Sequence, residues 1–293
     1  MTILIAGCGY LGKRAGRLLR ECGCGIIALS HSEEGAAALR QEGWDARACD
    51  IGVSGSLAGL PAVDAIVHTA ASGRSGAEGY RHVYLRGCRN LLEAFPNRRL
   101  LFSSSTSVYG QIDGSWVTED SPAEPDRETG KILLEAEHLV LEAGGTVLRL
   151  AGIYGPGRSV LLKQFLLSLA QIDVRREAPA TPDGRWINQI HRDDAAAAII
   201  HLLNRSEASG VFNVADSRPM TQREIYAELA RRFQRQLPPE RPPVIESKRG
   251  WTHKRVDNAR LRATGWSPRF SSWFDAIDGD KGFVGSILSQ TTL

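Results

Sequence analysis

Six residues near the start of the chain, Gly7-Cys8-Gly9-Tyr10-Leu11-Gly12, have the types and spacing to hold a phosphate. In Gly-x-Gly-x-x-Gly the first glycine permits a tight turn. The second has no Cβ, so backbone can approach a pyrophosphate, and the third lets a helix pack close to a strand. The motif carries this meaning only between a strand and a helix. Here the apolar run Thr2-Ile3-Leu4-Ile5-Ala6 precedes it and a helical pattern over 11–22 follows. The helix N-terminus adds free N–H groups and the positive end of its dipole. The stretch predicts a dinucleotide cradle formed by Gly7, Cys8, Gly9, Tyr10, Leu11 and Gly12.

Further groups fall where such a cradle needs them. The second apolar run, Ile26-Ile27-Ala28-Leu29, ends in Ser30-His31-Ser32. An acid at this strand end would hold the ribose 2′-hydroxyl of NAD. The first acids, Glu33 and Glu34, come later, and Ser30, His31 and Ser32 are able to accept a 2′-phosphate. The cofactor expected is NAD or NADP, with a tilt toward NADP. The third strand, over 45–49, runs into Asp50-Ile51, where an acid either faces the adenine amino group or simply starts a loop. A fourth strand, Ala65-Ile66-Val67-His68, leads into Thr69-Ala70-Ala71, small residues that let a dinucleotide lie close. His68 closes a buried strand, and a packed or backbone-bonded ring is the favoured reading over a catalytic one.

The elements that position these groups alternate along the chain. Helical spacing recurs over 80–95 and 128–143. Leu100-Leu101-Phe102 and Val147-Leu148-Arg149-Leu150 read as a fifth and sixth strand. Alternating strands and helices predict an α/β fold with a Rossmann-type doubly wound parallel sheet. Past Ala151 the texture changes to short loops, a helix over 161–170 and a turn over 180–184. Thr221 with Glu224 forms a capping box, and the 281–293 tail is expected to be loose. The boundaries expected are a nucleotide domain of 1–155 plus about 186–216, and a smaller substrate-binding domain of about 156–185 and 217–280.

Bulk properties narrow the classes. The chain has 293 residues, ample for a sizeable core. A net charge of +3, with 36 basic residues scattered, gives no nucleic-acid surface. No apolar run is long enough to span a membrane. The five cysteines, an odd number, and an opening directly on a strand predict reduced thiols and a cytoplasmic location. Cys22-Gly23-Cys24 has no second pair to complete a metal site, so no metal is expected.

Taken together, the motifs resemble a known family. They are the glycine loop, Ser103-Ser104-Ser105 before Val108-Tyr109-Gly110, and Thr118-Glu119-Asp120-Ser121-Pro122. Further on come Leu148-Arg149-Leu150 with Ile153-Tyr154-Gly155-Pro156-Gly157, Ile190-His191-Arg192-Asp193-Asp194, Val211-Phe212-Asn213-Val214 and Trp266-Ser267-Pro268. They occur in the order of the extended short-chain dehydrogenase/reductases, the NAD-dependent epimerase/dehydratases. The resemblance implies hydride transfer to or from NAD(P), coupled to proton transfer on a small polar substrate, often a nucleotide-sugar. It implies a homodimer formed through the helix pair of 80–95 and 128–143.

Carried over residue by residue, the resemblance places the substrate-orienting serine at Ser105, with Ser103 beside the cofactor, and the ribose-binding lysine at Lys131, supported by Glu135 one turn on. The usual tyrosine position holds Arg127, whose guanidinium stays protonated and cannot relay a proton. The usual asparagine position holds Tyr84. Such departures mark atypical subgroups that lack the tyrosine. Tyr84 is the first candidate to move the proton, ahead of Tyr109, Glu128 and His191. Ser105, Thr106, Arg127, Tyr154 and Arg158 are candidate substrate contacts. Arg185, Trp186, Lys248, Arg249 and Trp251 are weaker ones, each more simply read as surface or core. A non-catalytic cofactor-binding sensor or scaffold is the alternative function.

Overall fold

The computed structural model describes residues 1–73, 75–175, 183–205, 207–242 and 252–291. Seven strands form the central sheet: β1 (Thr2–Ala6), β2 (Gly25–Ser30), β3 (Asp45–Ala48), β4 (Ala65–His68), β5 (Arg99–Ser105), β6 (Thr146–Leu150) and β7 (Gly210–Val214). Their order is β7-β6-β5-β4-β1-β2-β3. Pairing is parallel, with Ile3 opposite both Ile26 and Ala65, and Ser105 opposite Leu150. This is a doubly wound parallel sheet of Rossmann type. The central strands β4 and β6 are buried along their whole length. Such strands are near-continuous apolar runs, because helices cover both faces; His68, Thr146 and Arg149 are the buried polar exceptions here.

Helices α1 (Tyr10–Glu21), α2 (Glu33–Gln41), α3 (Gly76–Tyr80), α4 (Gly87–Ala94) and α5 (Glu128–Glu142) belong to this part of the chain. The helix expected over 80–95 is not continuous. A π-helical turn, Arg81–Arg86, separates α3 from α4. Propensity and periodicity carry no signal for such a widened turn, which is held by contacts to distant residues.

The chain divides into two compact units. Unit 1 comprises Met1–Val108, Ala123–Leu150 and Ala195–Phe212, and unit 2 comprises Tyr109–Pro122, Ala151–Asp194 and Asn213–Leu293. The boundaries expected from sequence differ: 109–122, 151–155, 186–194 and 213–216 belong with unit 2. Trp116–Val117 pairs there with Arg255–Val256, and Gln189–His191 with Gly152–Tyr154. Unit 2 has its own core, built from Tyr154, Leu162, Phe165, Ile225, Leu229, Trp273 and Phe283. The expected loose tail is also corrected. Asp280 caps a helix, Lys281–Leu288, whose Phe283 and Ile287 are fully buried in that core. Glycines and a serine between Phe283, Val284, Ile287 and Leu288 hid an amphipathic pattern. Thr221 and Glu224 do form the capping box. Among the described residues no helix is long and apolar enough to cross a membrane.

Candidate functional site

The site begins at the carboxyl ends of β1, β2 and β4, which are neighbours in the sheet. Gly7 has φ +90°, in the left-handed region that L side chains rarely adopt. A Cβ there would stand 2.2 Å from the Ala70 Cα, and one on Gly12 would stand 2.5 Å from the Gly7 carbonyl oxygen. Thr69 Oγ1 donates to that same carbonyl at 2.9 Å. The N–H groups of Gly7 and Cys8 both donate to the Leu29 carbonyl, at 3.2 and 3.0 Å. The glycine turn is therefore locked to the strand ends on either side.

These bonds decide which groups are left for a phosphate. The Cys8 N–H is engaged by Leu29, and burial pushes its thiol up to about 11. The Gly9 N–H donates to the Gly7 carbonyl. By contrast, the N–H groups of Leu11 and Gly12 have no hydrogen-bond partner among the described residues. The N-cap, Gly9, offers no side chain, and the first turn of α1 carries no acid. A Cβ on Gly9 would meet nothing within 4 Å. An uncapped helix start under open space is the donor set that an anionic pyrophosphate requires. The residues present fit a dinucleotide.

Ser32 caps α2 by accepting from the Gly35 N–H at 3.2 Å. Ser30 lies against Gly35, where a Cβ would come within 2.2 Å of its Oγ. His31 beside them is exposed, and Glu33 is turned to Arg40. The Asp50 carboxylate faces His82, with Nε2 at 2.8 Å from Oδ1. Asn90 Nδ2 donates to the Ile51 carbonyl at 2.8 Å.

Four consecutive residues of the π-helical turn reach four different partners. Arg81 pairs with Glu128 and stands 3.9 Å from Glu135 on α5. His82 meets Asp50. The Val83 carbonyl accepts from His68 Nε2 at 3.0 Å. The Tyr84 hydroxyl accepts from the Ser72 N–H at 3.3 Å. Sequence reasoning missed Arg81 and His82, since neither spacing nor a motif marks them. π-Helical turns recur at functional sites, and this one ties the turn after β3 and the end of β4 with its following loop to α5.

His68 is fully buried and its ring is pushed down to about 4 by desolvation, which makes it a neutral packing residue. Its ring and that of Phe102 flank Tyr84. At the end of β5 the Ser103 Oγ is buried without a hydrogen-bond partner, and Ser105 Oγ accepts from the Ser107 N–H at 3.1 Å. Thr106 opens a short 3-10 turn. Ser104 donates to buried Glu137, which pairs with Arg149 at 2.7 Å. Arg127 is the N-cap of α5, in extended backbone with no side-chain cap, and the Lys131 N–H donates to its carbonyl one turn on. The Lys131 side chain is exposed and without an ion-pair partner among the described residues. The expected support from Glu135 is corrected: that carboxylate faces Arg81 instead.

Of the candidates in unit 2, Tyr154 is corrected. It is 1% exposed, packed against Phe283 and Trp273, with its hydroxyl on the Ser272 carbonyl at 3.4 Å. Arg158 lies on an exposed loop closed by backbone bonds to Gly155. The Tyr109 hydroxyl is engaged with Asn213 at 2.8 Å, and buried His191 stands 3.2 Å from Asp280. Glu128 is paired with Arg81. Arg185 stands 3.6 Å from Asp173, and the Trp186 N–H donates to His253. Lys248, Arg249, Trp251 and the 180–182 part of the expected turn lie outside the described residues. No group of three or more His, Cys, Asp or Glu placed to hold a metal occurs among the described residues.

A family model, that of the NAD dependent epimerase/dehydratase family, matches residues 3–215. The chain belongs to that family. Among relatives of this chain, Protein YeeZ of Escherichia coli strain K12 is 29% identical over 88% of this chain and 92% of its own. A UDP-glucose 4-epimerase of Streptomyces lividans is 26% identical over the same shares. A solved structure from Methylobacillus flagellatus, assigned by its name to NAD-dependent epimerase/dehydratases, is 31% identical, with a TM-score of 0.73 over 100% of this chain and 99% of that one. The likeness in fold to that solved structure thus extends along the whole chain.

Proposed function

We propose that the protein is an NAD(P)-dependent epimerase, dehydratase or reductase with atypical acid/base residues, acting on a small polar substrate of the nucleotide-sugar class. The observation that carries the cofactor half is the uncapped start of α1, with the Leu11 and Gly12 N–H groups under the open space at Gly9. Thr69, Ala70 and Ala71 border the same turn, Asp50 and Ile51 face the adenine, and Ser103 lies beside the nicotinamide end. Ser30, His31 and Ser32 favour NADP, since the nearest acid, Glu33, is already turned to Arg40.

NAD(P), when bound, supplies or accepts hydride at the nicotinamide C4. The chain's own residues do the rest. Ser105 orients the substrate oxygen. Lys131 holds the ribose hydroxyls and sets a positive charge near the reacting proton. Tyr84 carries a phenol able to give and take that proton. Arg127 and Thr106 hold the polar or anionic part of the substrate. The epimerase among the relatives supports the nucleotide-sugar class. A cytoplasmic homodimer through the α4 and α5 helices completes the reading.

A second reading rests on Arg127. A guanidinium at the start of α5, where family members carry tyrosine, is what a cofactor-binding sensor or scaffold would tolerate. One experiment separates the two. The protein is titrated with NADH and NADPH by nicotinamide fluorescence. The loaded protein is then mixed with a panel of ketones and nucleotide-linked sugars. Oxidation of the cofactor by any member supports the enzyme. Tight binding without oxidation across the panel, with a cofactor-dependent protein partner, supports the sensor.

A further inference from the structure

Asp50 and His82 come from different elements of unit 1, the turn after β3 and the π-helical turn. They meet through one ring nitrogen. His82 Nε2 stands 2.8 Å from Asp50 Oδ1 and 2.9 Å from Oδ2, so a single N–H is shared by both oxygens. The Gly52 N–H donates to Oδ1 at 3.0 Å. A Cβ on Gly52 would come within 2.4 Å of that Nε2, so glycine is what lets the ring lie so close. The turn is held from the same helical segment a second time, by Asn90 on the Ile51 carbonyl. Both side chains of the pair remain about one-third exposed, 32% for His82 and 34% for Asp50.

A carboxylate accepts at about four lone-pair positions, so two donors fix its rotation while leaving acceptor directions open. We propose that His82 is a positioning residue for adenine: it holds the Asp50 carboxylate in the orientation that accepts the exocyclic amino group of the dinucleotide. This rests on the reading of Asp50 as the adenine-facing acid. Orientation set before the ligand arrives removes an ordering cost from binding. It also sharpens selection. An amino group donates to the carboxylate, whereas an oxo group at the same ring position brings an acceptor against a negative charge.

The test compares dissociation constants for NADH and for reduced nicotinamide hypoxanthine dinucleotide, in which oxo replaces the amino group and the adjacent ring N1 gains a hydrogen. The wild-type protein prefers NADH. Asp50→Asn abolishes the preference. His82→Phe keeps a ring beside Gly52 without the N–H, and narrows the preference by about tenfold, the size of one charge-assisted hydrogen bond. His82→Gln keeps a donor and restores most of it. Unfolded protein lowers both signals alike and cancels from the ratio. A ring that merely fastened the turn would weaken both dinucleotides equally. If Asp50→Asn removes the preference and His82→Phe leaves it intact, the role of His82 is overturned. If Asp50→Asn also leaves it intact, the reading of Asp50 itself is what fails, and the proposal goes with it.

Discussion

The Tyr84 hydroxyl accepts a hydrogen bond from the Ser72 backbone N–H at 3.3 Å, and its own proton has no acceptor among the described residues. The phenol is thus anchored through its oxygen while its proton stays available. Tyr84→Phe keeps the ring packed between His68 and Phe102. It should lower kcat by about 10²–10⁴, the usual worth of a positioned acid/base group. NAD(P)H affinity should stay within about twofold, as expected when only transition-state interactions are lost. Turnover at the wild-type level would remove Tyr84 from the role.

The glycines of the opening turn separate stability from binding. Gly7→Ala puts a Cβ onto Ala70 at a positive φ, and should cost several kcal/mol, about the range for strain plus overpacking. Gly9→Ala meets open space in the protein alone. Its melting temperature should stay near wild type while NAD(P)H affinity falls by about tenfold or more, because the new methyl enters the space of the pyrophosphate. Equal loss of stability in both variants would contradict this division.

Glu137 and Arg149 form a buried pair inside unit 1, at 1% and 7% side-chain exposure, with Ser104 as a third partner. Removing one partner strands a charge in low dielectric. Glu137→Ala or Arg149→Ala should each cost about 3–5 kcal/mol. The double variant Glu137→Leu with Arg149→Met should recover much of it. Urea midpoints of the four proteins check this, and additive losses in the double variant would refute it.

Stability should fall on the acid side of neutrality. Burial lowers His68 from 6.5 to about 4, so the folded chain holds it neutral while the unfolded chain protonates near 6.5. Between those values the unfolded state binds the extra proton, and unfolding gains ground as pH drops. The contribution is fully present above the unfolded value and is lost progressively toward pH 4, amounting to about 3 kcal/mol. His191 and His253, both pushed down by burial, act with the same sign. Urea midpoints measured from pH 7 to pH 4.5 should decline, and His68→Gln should flatten part of the slope. A slope unchanged by that substitution would mean another group sets it.

Local chemistry explains why the glycine turn was legible in the sequence. Gly7 needs its positive φ and Gly12 its missing Cβ, so the residue types themselves record the conformation. The buried strands were equally visible, because strands covered on both faces are near-continuous apolar runs, with His68 and Arg149 as buried exceptions. Two kinds of feature stayed hidden. The helix Lys281–Leu288 looked like a tail because its apolar residues are interrupted by glycines and a serine, and they matter through the core they enter. Tyr154 looked like a site residue from its motif, yet its ring is enclosed by Phe283 and Trp273 from distant parts of the chain.

The sequence by itself determined the glycine turn, the alternating strands and helices of a doubly wound parallel sheet and the family resemblance, since each is written into neighbouring residues. Only the tertiary structure decided how those parts are held. His82 reaches Asp50 across 32 positions and Arg81 reaches Glu128 across 47, through a π-helical turn that no local pattern announces. Such contacts arise from where the sheet and helices bring chain segments together. Residue type at one position says nothing about which distant group will stand beside it.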